Sequence, residues 1–454
     1  MRLFAKIIIA TFIVFWTGFI FLDYWQKHPI YFHSFRLFDY WGLAFFLALL
    51  GFGVIWSVLK FGKDKKRRGL FNGLSTTLLF LVVGISSIGF AYGKLVSNGE
   101  FSSQKVIHAL GLTGGTGLAV LLIVLVSYVL GGMINERLKI QVKQEDAVAT
   151  DLAAGIMGLV LFLFLLGAVS LLHWFILFPL FGILLFFGRK KAAYFFKTTF
   201  LQSLVNKDIN IWGGIAFYLL VVLFSINFMA VNVPMPAGFD SLTLYANLPA
   251  LIGQHHGLVE GFQPYNWSLL MSLGHVLFGS TEVSLALSYL GGALSAYAMY
   301  VLCRSWLKIN VNYSLLAVLV FSLTPSVIIQ SSAELKVDLG LLFIYLSIIL
   351  LGLNYLLNIF DPVENKNKPA VESRLNPGEP ELIWMGLLSG FSLGIKLTTL
   401  YFAFALICAL WFARSGKRGF FAAFLTCMFL VFLLKIDEFA GLREHRVNRQ
   451  HGVA

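Results

Sequence analysis

Three stretches of the chain place ionisable side chains beside apolar runs, where they could act on a hydroxyl and a phosphate. Asp240 follows an apolar run and could serve as a general base that takes the proton from an attacking hydroxyl. Glu334 and Asp338 are four residues apart, so a helix would place both carboxylates on one face. Lys396 follows another apolar run and could stabilise the charge of a lipid phosphate.

Each of these residues also has a purely structural interpretation. Asp338 could only stabilise the first turn of a helix, because a carboxylate suits the positive end of the helix dipole. Lys396 could extend its charged end to the membrane surface while its stem stays in apolar surroundings. Both interpretations remain open from the sequence.

Further polar residues accompany these three stretches. Tyr245 follows Asp240, and Lys336 lies between the two carboxylates. His255 and His256 are adjacent, so they do not share a helix face and would need more ligands to hold a metal. We therefore predict no metal site and no cofactor, although a divalent ion remains an alternative.

The composition excludes a soluble protein. The 454 residues are 58% hydrophobic and only 12% charged, whereas soluble domains carry about 25% charged residues. The three cysteines lie in apolar runs and form no zinc-binding pattern. The net charge of +12 falls mostly in short loops between apolar segments, which indicates membrane topology and not a nucleic-acid partner.

Apolar runs of the length that crosses a bilayer recur along the whole chain. A bilayer core about 30 Å thick requires about 20 apolar residues per helix. The sequence thus predicts an all-α polytopic membrane protein with about 13 transmembrane helices. The predicted spans are 5–23, 40–60, 71–93, 107–133, 151–170, 172–188, 211–232, 283–303, 312–330, 338–358, 381–396, 398–413 and 420–434.

The distribution of lysine and arginine predicts the orientation of these spans. Basic residues crowd the alternate loops, which marks those loops as cytoplasmic. The fifty-residue segment 233–282 has no lysine or arginine, and we place it on the outer side. It contains two candidate interfacial helices, from residue 241 onward and over 267–278. Asp240, the Glu334–Asp338 pair and Lys396 then fall on this same outer side of a multi-pass protein, which we place in a bacterial inner membrane.

The spans divide into three predicted regions. Residues 1–210 form a membrane region of six spans, and residues 211–434 form a second membrane region that contains the outer loop 233–282. Residues 435–454 form a polar tail.

Residues 211–413 resemble the large superfamily of membrane glycosyltransferases with the GT-C fold, such as protein mannosyltransferases and aminoarabinose transferases of lipid A. The resemblance lies first in Asp240, Tyr245 and Pro249, an aspartate just after a span with a tyrosine and a proline downstream. It continues in the acidic stretch 331–338 and in Gly394-Ile395-Lys396-Leu397-Thr398. Each motif is short, and the order of the three carries the resemblance.

The resemblance implies an enzyme that transfers a hexosyl or pentosyl group from a polyprenyl-phosphate carrier to a lipid, glycan or protein acceptor on the outer face. Asp240 would be the general base, and Lys396 would bind the lipid phosphate. The other candidate substrate-binding residues are Tyr245, His255, His256, Glu334, Lys336 and Asp338. Because members of the superfamily continue with further spans, the resemblance also implies truncation at the C-terminus.

Two other classes of function remain open. A lipid or polysaccharide transporter would show charged residues at mid-membrane and broken helices in matching halves. A non-catalytic assembly protein would need only spans that pack together. The position of the polar residues at one face favours the transferase.

Overall fold

Every element in the part of the chain that the structure describes is a helix. The computed structural model describes Gly51, residues 103–196 apart from 139 and 141, and residues 209–230, 241–259, 266–332, 334, 336–360 and 379–415. Its α-helices are α1 (Ser103–Arg137), α2 (Gln144–Ala168), α3 (Trp174–Phe187), α4 (Arg189–Phe195), α5 (Ile211–Ala230), α6 (Asn247–His255), α7 (Asn266–Met271), α8 (Leu273–Phe278), α9 (Thr281–Val301), α10 (Val311–Ser322), α11 (Pro325–Ser332), α12 (Asp338–Phe360), α13 (Glu379–Leu393) and α14 (Thr399–Ser415). Two π-helical segments, Ser241–Ala246 and Leu302–Trp306, precede α6 and follow α9.

Several of these helices are long and apolar enough to cross a membrane, as the sequence predicts. The stretches Gly111–Arg137, Gln144–Ala168, Thr281–Trp306 and Asp338–Leu356 meet this description, and a fifth crossing results if α10 and α11 count as one bent span. The all-helical class is thereby confirmed for the described residues, and four or five of their helices could span a membrane. The predicted spans 5–23, 40–60, 71–93 and 420–434 and the tail 435–454 lie outside the described residues.

The contact between α1 and α2 depends on two glycines. A Cβ on Gly131 would lie 1.8 Å from the Asp151 carbonyl oxygen, and a Cβ on Gly155 would lie 1.6 Å from that of Ser127. Neither position has room for a side chain, so the two backbones touch. Close approach at small residues is the usual way in which membrane helices pack.

Helices α9 and α12 form the centre of the described bundle. Gly291 of α9 faces Gly340 of α12 so closely that a Cβ on Gly291 would lie 2.5 Å from the Gly340 backbone nitrogen. Ser295 of α9 adds a hydrogen bond from its hydroxyl to the Leu339 carbonyl oxygen, at 2.7 Å. This contact holds the N-terminal turn of α12, where Asp338 lies, against its neighbour.

The second predicted interfacial helix is buried in the bundle and does not lie along its surface. The predicted stretch 267–278 forms α7 and α8, separated only by Ser272. All five residues 267–271 are buried, and α7 packs on α2 and α9. Most side chains of this short segment are apolar, and the Ser272 hydroxyl donates to the Leu269 carbonyl oxygen at 2.7 Å, so its burial leaves that polar group paired.

A buried carboxylate joins three helices at the other end of the bundle. Asp146, near the start of α2, is fully buried and accepts hydrogen bonds from Ser305 Oγ (2.7 Å), Trp306 Nε1 (2.9 Å) and Asn354 Nδ2 (2.7 Å). Asn354 and Asp338 are sixteen residues apart on α12, a distance of about 24 Å along a helix. We name these two ends of the bundle the Asp146 end and the Asp338 end.

Candidate functional site

The Asp338 end contains an ion pair between two of the residues that the sequence singles out. Lys396 Nζ lies 2.6 Å from Asp338 Oδ1, and the two side chains are 37% and 30% exposed. Asp338 is the first residue of α12, and Lys396 lies in the turn between α13 and α14. Because both side chains are partly exposed, a ligand that approaches this end can reach either charge.

The backbone around Lys396 forms a compact turn, which we call the lysine turn (residues 394–398). The N–H groups of Ile395 and Lys396 both donate to the Ser392 carbonyl oxygen, at 3.0 and 3.1 Å. The Thr399 N–H donates in turn to the Lys396 carbonyl oxygen at 3.0 Å, where α14 begins. The lysine backbone is therefore held on both sides, and only its side chain extends towards Asp338.

Tyr345 of α12 supports the lysine turn from within the bundle. Its hydroxyl lies 2.8 Å from Thr399 Oγ1, and Thr399 Oγ1 donates to the Ser392 carbonyl oxygen at 3.0 Å. The tyrosine ring also stacks on Phe402, with centroids 4.0 Å apart. These contacts join α12 to the start of α14 two helical turns below the ion pair.

Asn266, the first residue of α7, supports the lysine turn from the other side. Its backbone N–H donates to the Gly394 carbonyl oxygen at 2.9 Å, and its Nδ2 donates to the Phe391 carbonyl oxygen at 2.7 Å. A segment of the predicted outer loop 233–282 is therefore bonded directly to the turn that carries Lys396.

The structure corrects the expectation that Glu334 and Asp338 share one helix face. The helix α11 ends at Ser332, and α12 begins only at Asp338, so Glu334 lies in the break between them. Glu334 instead pairs with Lys336, with Glu334 Oε2 and Lys336 Nζ 2.8 Å apart. The helix that the spacing alone would continue is therefore interrupted, and the two carboxylates do not share a helix face.

The break between α11 and α12 is itself held in place. Ser288 of α9 donates from its hydroxyl to the Lys336 carbonyl oxygen at 2.7 Å. Asn227 of α5 donates from Nδ2 to Ser331 Oγ at 2.9 Å in a buried contact. Two ion pairs, Glu334–Lys336 and Asp338–Lys396, thus follow one another along the Asp338 end.

The remaining predicted site residues lie on elements other than α12 and the lysine turn. Tyr245 lies in the π-helical segment before α6 and is half-buried against the main apolar core. His255 is exposed at the end of α6. His256 has a positive φ of 54°, its Nδ1 lies 3.0 Å from the Leu172 carbonyl oxygen, and its ring lies 4.1 Å from that of His173. His256 therefore connects the end of α6 to the turn between α2 and α3.

Asp240, the predicted general base, lies outside the described residues. Among those that the structure describes, no three His, Cys, Asp or Glu side chains lie close enough to hold a metal ion. The assignments of the base and of a metal-free site therefore remain predictions.

Sequence reasoning did not find Asn266, Tyr345 or Asp146. Asn266 and Tyr345 are single polar residues within or beside apolar runs, and only their partners reveal their roles. Asp146 gave no such signal either, because it ends the polar stretch Lys143-Gln144-Glu145-Asp146 ahead of the predicted span. The predicted span 151–170 began after it, whereas α2 begins at Gln144 and includes Asp146 in its first turn.

The arrangement can bind an anion beside a carboxylate. A phosphate that approaches Lys396 would compete with Asp338 for the ammonium group, and Lys336, two residues before Asp338, carries a second ammonium group that is paired with Glu334. The partly exposed carboxylate of Asp338 can then accept a hydrogen bond from a hydroxyl or an amine of the same ligand.

Comparisons with protein-family models, curated proteins and solved structures gave no significant match to this chain.

Proposed function

We propose that the chain is a multi-pass membrane glycosyltransferase of the bacterial inner membrane. It would move a hexosyl or pentosyl group from a polyprenyl-phosphate carrier to a hydroxyl of a lipid, glycan or protein acceptor on the outer face. The observation that carries the proposal is the Asp338–Lys396 ion pair, because it joins two of the three stretches that resemble the GT-C superfamily.

The position of the outer loop also supports the proposal. The loop 233–282 contains Asp240 near its start and Asn266 near its middle, and Asn266 is bonded to the lysine turn. A base near the start of the loop and a cation beside its middle would serve one reaction if these two parts of the loop border one cavity. We therefore include the region 211–434 in the proposal as a GT-C-like core.

In the proposed reaction, the acceptor oxygen forms a bond to the anomeric carbon of the sugar while Asp240 takes its proton. The bond between that carbon and the phosphate oxygen breaks, and the polyprenyl phosphate leaves with the electron pair. General-base catalysis of this kind contributes about 10²–10⁴-fold. No nucleotide takes part, because the donor is already a lipid in the membrane.

Lys396 stabilises the charge that develops on the leaving phosphate. Before the donor binds, Asp338 holds the ammonium group in place, and the donor phosphate then shares or replaces this partner. Removal of one well-placed electrostatic group from such a site lowers the rate by about 10²–10³-fold. Lys336 and Glu334 lie along the same surface and would contact the acceptor or the sugar, and Tyr245, His255 and His256 would border the loop side.

The test uses the purified full chain in proteoliposomes with radiolabelled polyprenyl-phosphate hexoses and pentoses. We expect transfer by the native protein, a loss of about 10²–10⁴-fold in Asp240→Asn, and a loss of about 10²–10³-fold in Lys396→Ala. Lys190→Ala, an exposed lysine of α4, is the control and should transfer normally. Failure of the native protein to transfer from any of these donors, or full activity in Asp240→Asn, would overturn the proposal.

A transporter of lipid-linked sugars is the second candidate, and one observation favours it. Helices α10 and α11 meet at an angle of 72°, so they form a broken span or a re-entrant segment. Broken helices line the substrate paths of many transporters. Movement of a labelled lipid between leaflets without any sugar transfer would favour this candidate, whereas absence of both activities would favour an assembly role.

A further inference from the structure

Two adjacent residues at the start of α7, Asn266 and Trp267, fill the positions that side chains on Gly394 and Gly340 would occupy. A Cβ on Gly394 would lie 2.2 Å from Asn266 Nδ2, and a Cβ on Gly340 would lie 2.4 Å from Trp267 Cε2. Gly394 is two residues before Lys396, and Gly340 is two residues after Asp338. Asn266 and Trp267 thus touch both of the segments that carry the ion pair.

The contacts of these two residues differ in kind. Asn266 makes two hydrogen bonds to the lysine turn and the end of α13, as described above. Trp267 is 1% exposed and packs its ring face on the backbone at Gly340. The hydrogen bonds fix the position of the turn, and the bulk of the indole fixes how closely α12 approaches α7.

We propose that Asn266 and Trp267 are positioning residues that set the separation of Asp338 and Lys396. Neither residue touches the two charges, so each acts through the backbone that carries one of them. The catalytic meaning of this role rests on the proposed function, in which Lys396 binds the donor phosphate. The geometric part of the inference, that these residues hold Lys396 beside Asp338, stands without it.

The direct measurement is the rate at which an amine-reactive succinimidyl ester acylates Lys396 in the purified full chain, followed by peptide mass spectrometry. The Asp338→Ala variant removes the partner carboxylate, and its acylation rate gives the reference value for an unpaired Lys396. We expect Asn266→Ala to raise the acylation rate of Lys396 towards that value, by about two- to fivefold, the range that loss of a partly exposed ion pair allows.

Asn227→Ala is the matched control. Asn227 is 4% exposed and donates one buried side-chain hydrogen bond to Ser331, at the same end of the bundle but away from the lysine turn. It should lower the thermal unfolding midpoint about as much as Asn266→Ala and leave Lys396 acylation at the native rate. Equal acylation in the native protein and Asn266→Ala, or an equal rise in both variants, would overturn the inference.

Gly394→Ala provides a second and independent test. The added methyl group collides with Asn266 Nδ2, so this variant should acylate at Lys396 as fast as Asn266→Ala does. In the double variant Asn266→Ala with Gly394→Ala, the amide that would collide with the new methyl group is absent. Its rate of Lys396 acylation should match that of Asn266→Ala alone, with no further loss of thermal stability. Additive effects of the two changes would contradict a direct contact.

Transfer kinetics separate this inference from the proposed function. If the native protein transfers sugar, Asn266→Ala should lower kcat and raise KM for the donor, whereas Lys190→Ala, at an exposed position of α4, should change neither per folded molecule. If the native protein does not transfer sugar, the proposed function fails, and the acylation rates still decide whether Asn266 positions Lys396.

Discussion

Lys396 and Asp338 are 58 residues apart in sequence, and their side chains meet at 2.6 Å at the N-terminus of α12. The carboxylate lies at the positive end of the helix dipole, so it receives support both from the helix and from the lysine. The contact also explains both residues in structural terms, because each charged group provides the partner that the other needs near a membrane.

The charge pair should matter far more for transfer than for stability. A partly exposed ion pair contributes about 0.2–1 kcal/mol, so Lys396→Ala should lower the free energy of unfolding by no more than about 1 kcal/mol while transfer falls about 10²-fold. The exchanged pair Asp338→Lys with Lys396→Asp should regain only part of the stability, because a lysine then lies at the positive end of the α12 dipole. It should remain inactive, because a carboxylate then faces the phosphate. Recovery of transfer in the exchanged pair would show that transfer requires only a contact between opposite charges, and not a lysine at position 396.

Asp146 should be a strong determinant of stability that is separate from transfer. Its removal leaves the Ser305 hydroxyl and the Trp306 indole N–H without their acceptor, and each such donor costs about 1–3 kcal/mol. Asn354 Nδ2 keeps its bond to the Leu350 carbonyl oxygen. Asp146→Ala should therefore lose at least about 2 kcal/mol, measured by thermal unfolding in detergent. The neighbouring Glu145 is exposed, and Glu145→Ala should change stability by no more than about 0.5 kcal/mol. Similar losses in the two variants would contradict the buried network.

The glycines of the α1–α2 contact should tolerate no side chain. Gly155→Ala forces a methyl group onto the Ser127 carbonyl oxygen, so the two helices must separate. We expect a marked fall in the thermal unfolding midpoint and in the yield of folded protein. Gly114→Ala in α1 is the control, since no described atom lies within 4 Å of the added methyl group and alanine favours a helix. An equal loss at both positions would contradict the close approach.

His275 should make stability depend on pH below neutrality. Burial in α8 lowers the pKa of His275 from its ordinary value of 6.5, and the nearby Glu282 opposes this shift. The unfolded state then takes up a proton that the folded state resists, so the contribution is complete above pH 6.5 and falls as the pH decreases below it. His275→Gln should flatten the decline of the thermal midpoint between neutral and mildly acidic pH. An unchanged decline would assign the pH dependence to another group.

The proposed orientation predicts which surfaces a reagent can reach in intact cells. In a variant whose cysteines at 303, 408 and 427 are replaced, a cysteine at Gln254 should react with an impermeant thiol reagent from outside. A cysteine at Lys190, which is equally exposed, should react only after lysis. The reverse pattern would invert the proposed topology and place the Asp338–Lys396 pair on the cytoplasmic side.

The main helices could be predicted because their signal is local. The predicted spans 283–303 and 338–358 correspond closely to α9 and α12, since a run of apolar residues of this length must form internal hydrogen bonds wherever it enters a membrane. The bend between α10 and α11 was less visible. Pro325 marks it, because the residue before a proline is unfavourable in a helix.

The sequence by itself determined that this is a helical membrane protein and that Asp338 and Lys396 are unusual residues for their surroundings. Only the tertiary structure decided that the two are partners, that Glu334 pairs with Lys336, and that Asn266 and Trp267 contact the segments that carry the pair. The physical reason is the range of the interactions. Hydrophobicity and helix formation depend on neighbours in sequence, whereas an ion pair or a backbone contact across a glycine depends on how distant helices pack.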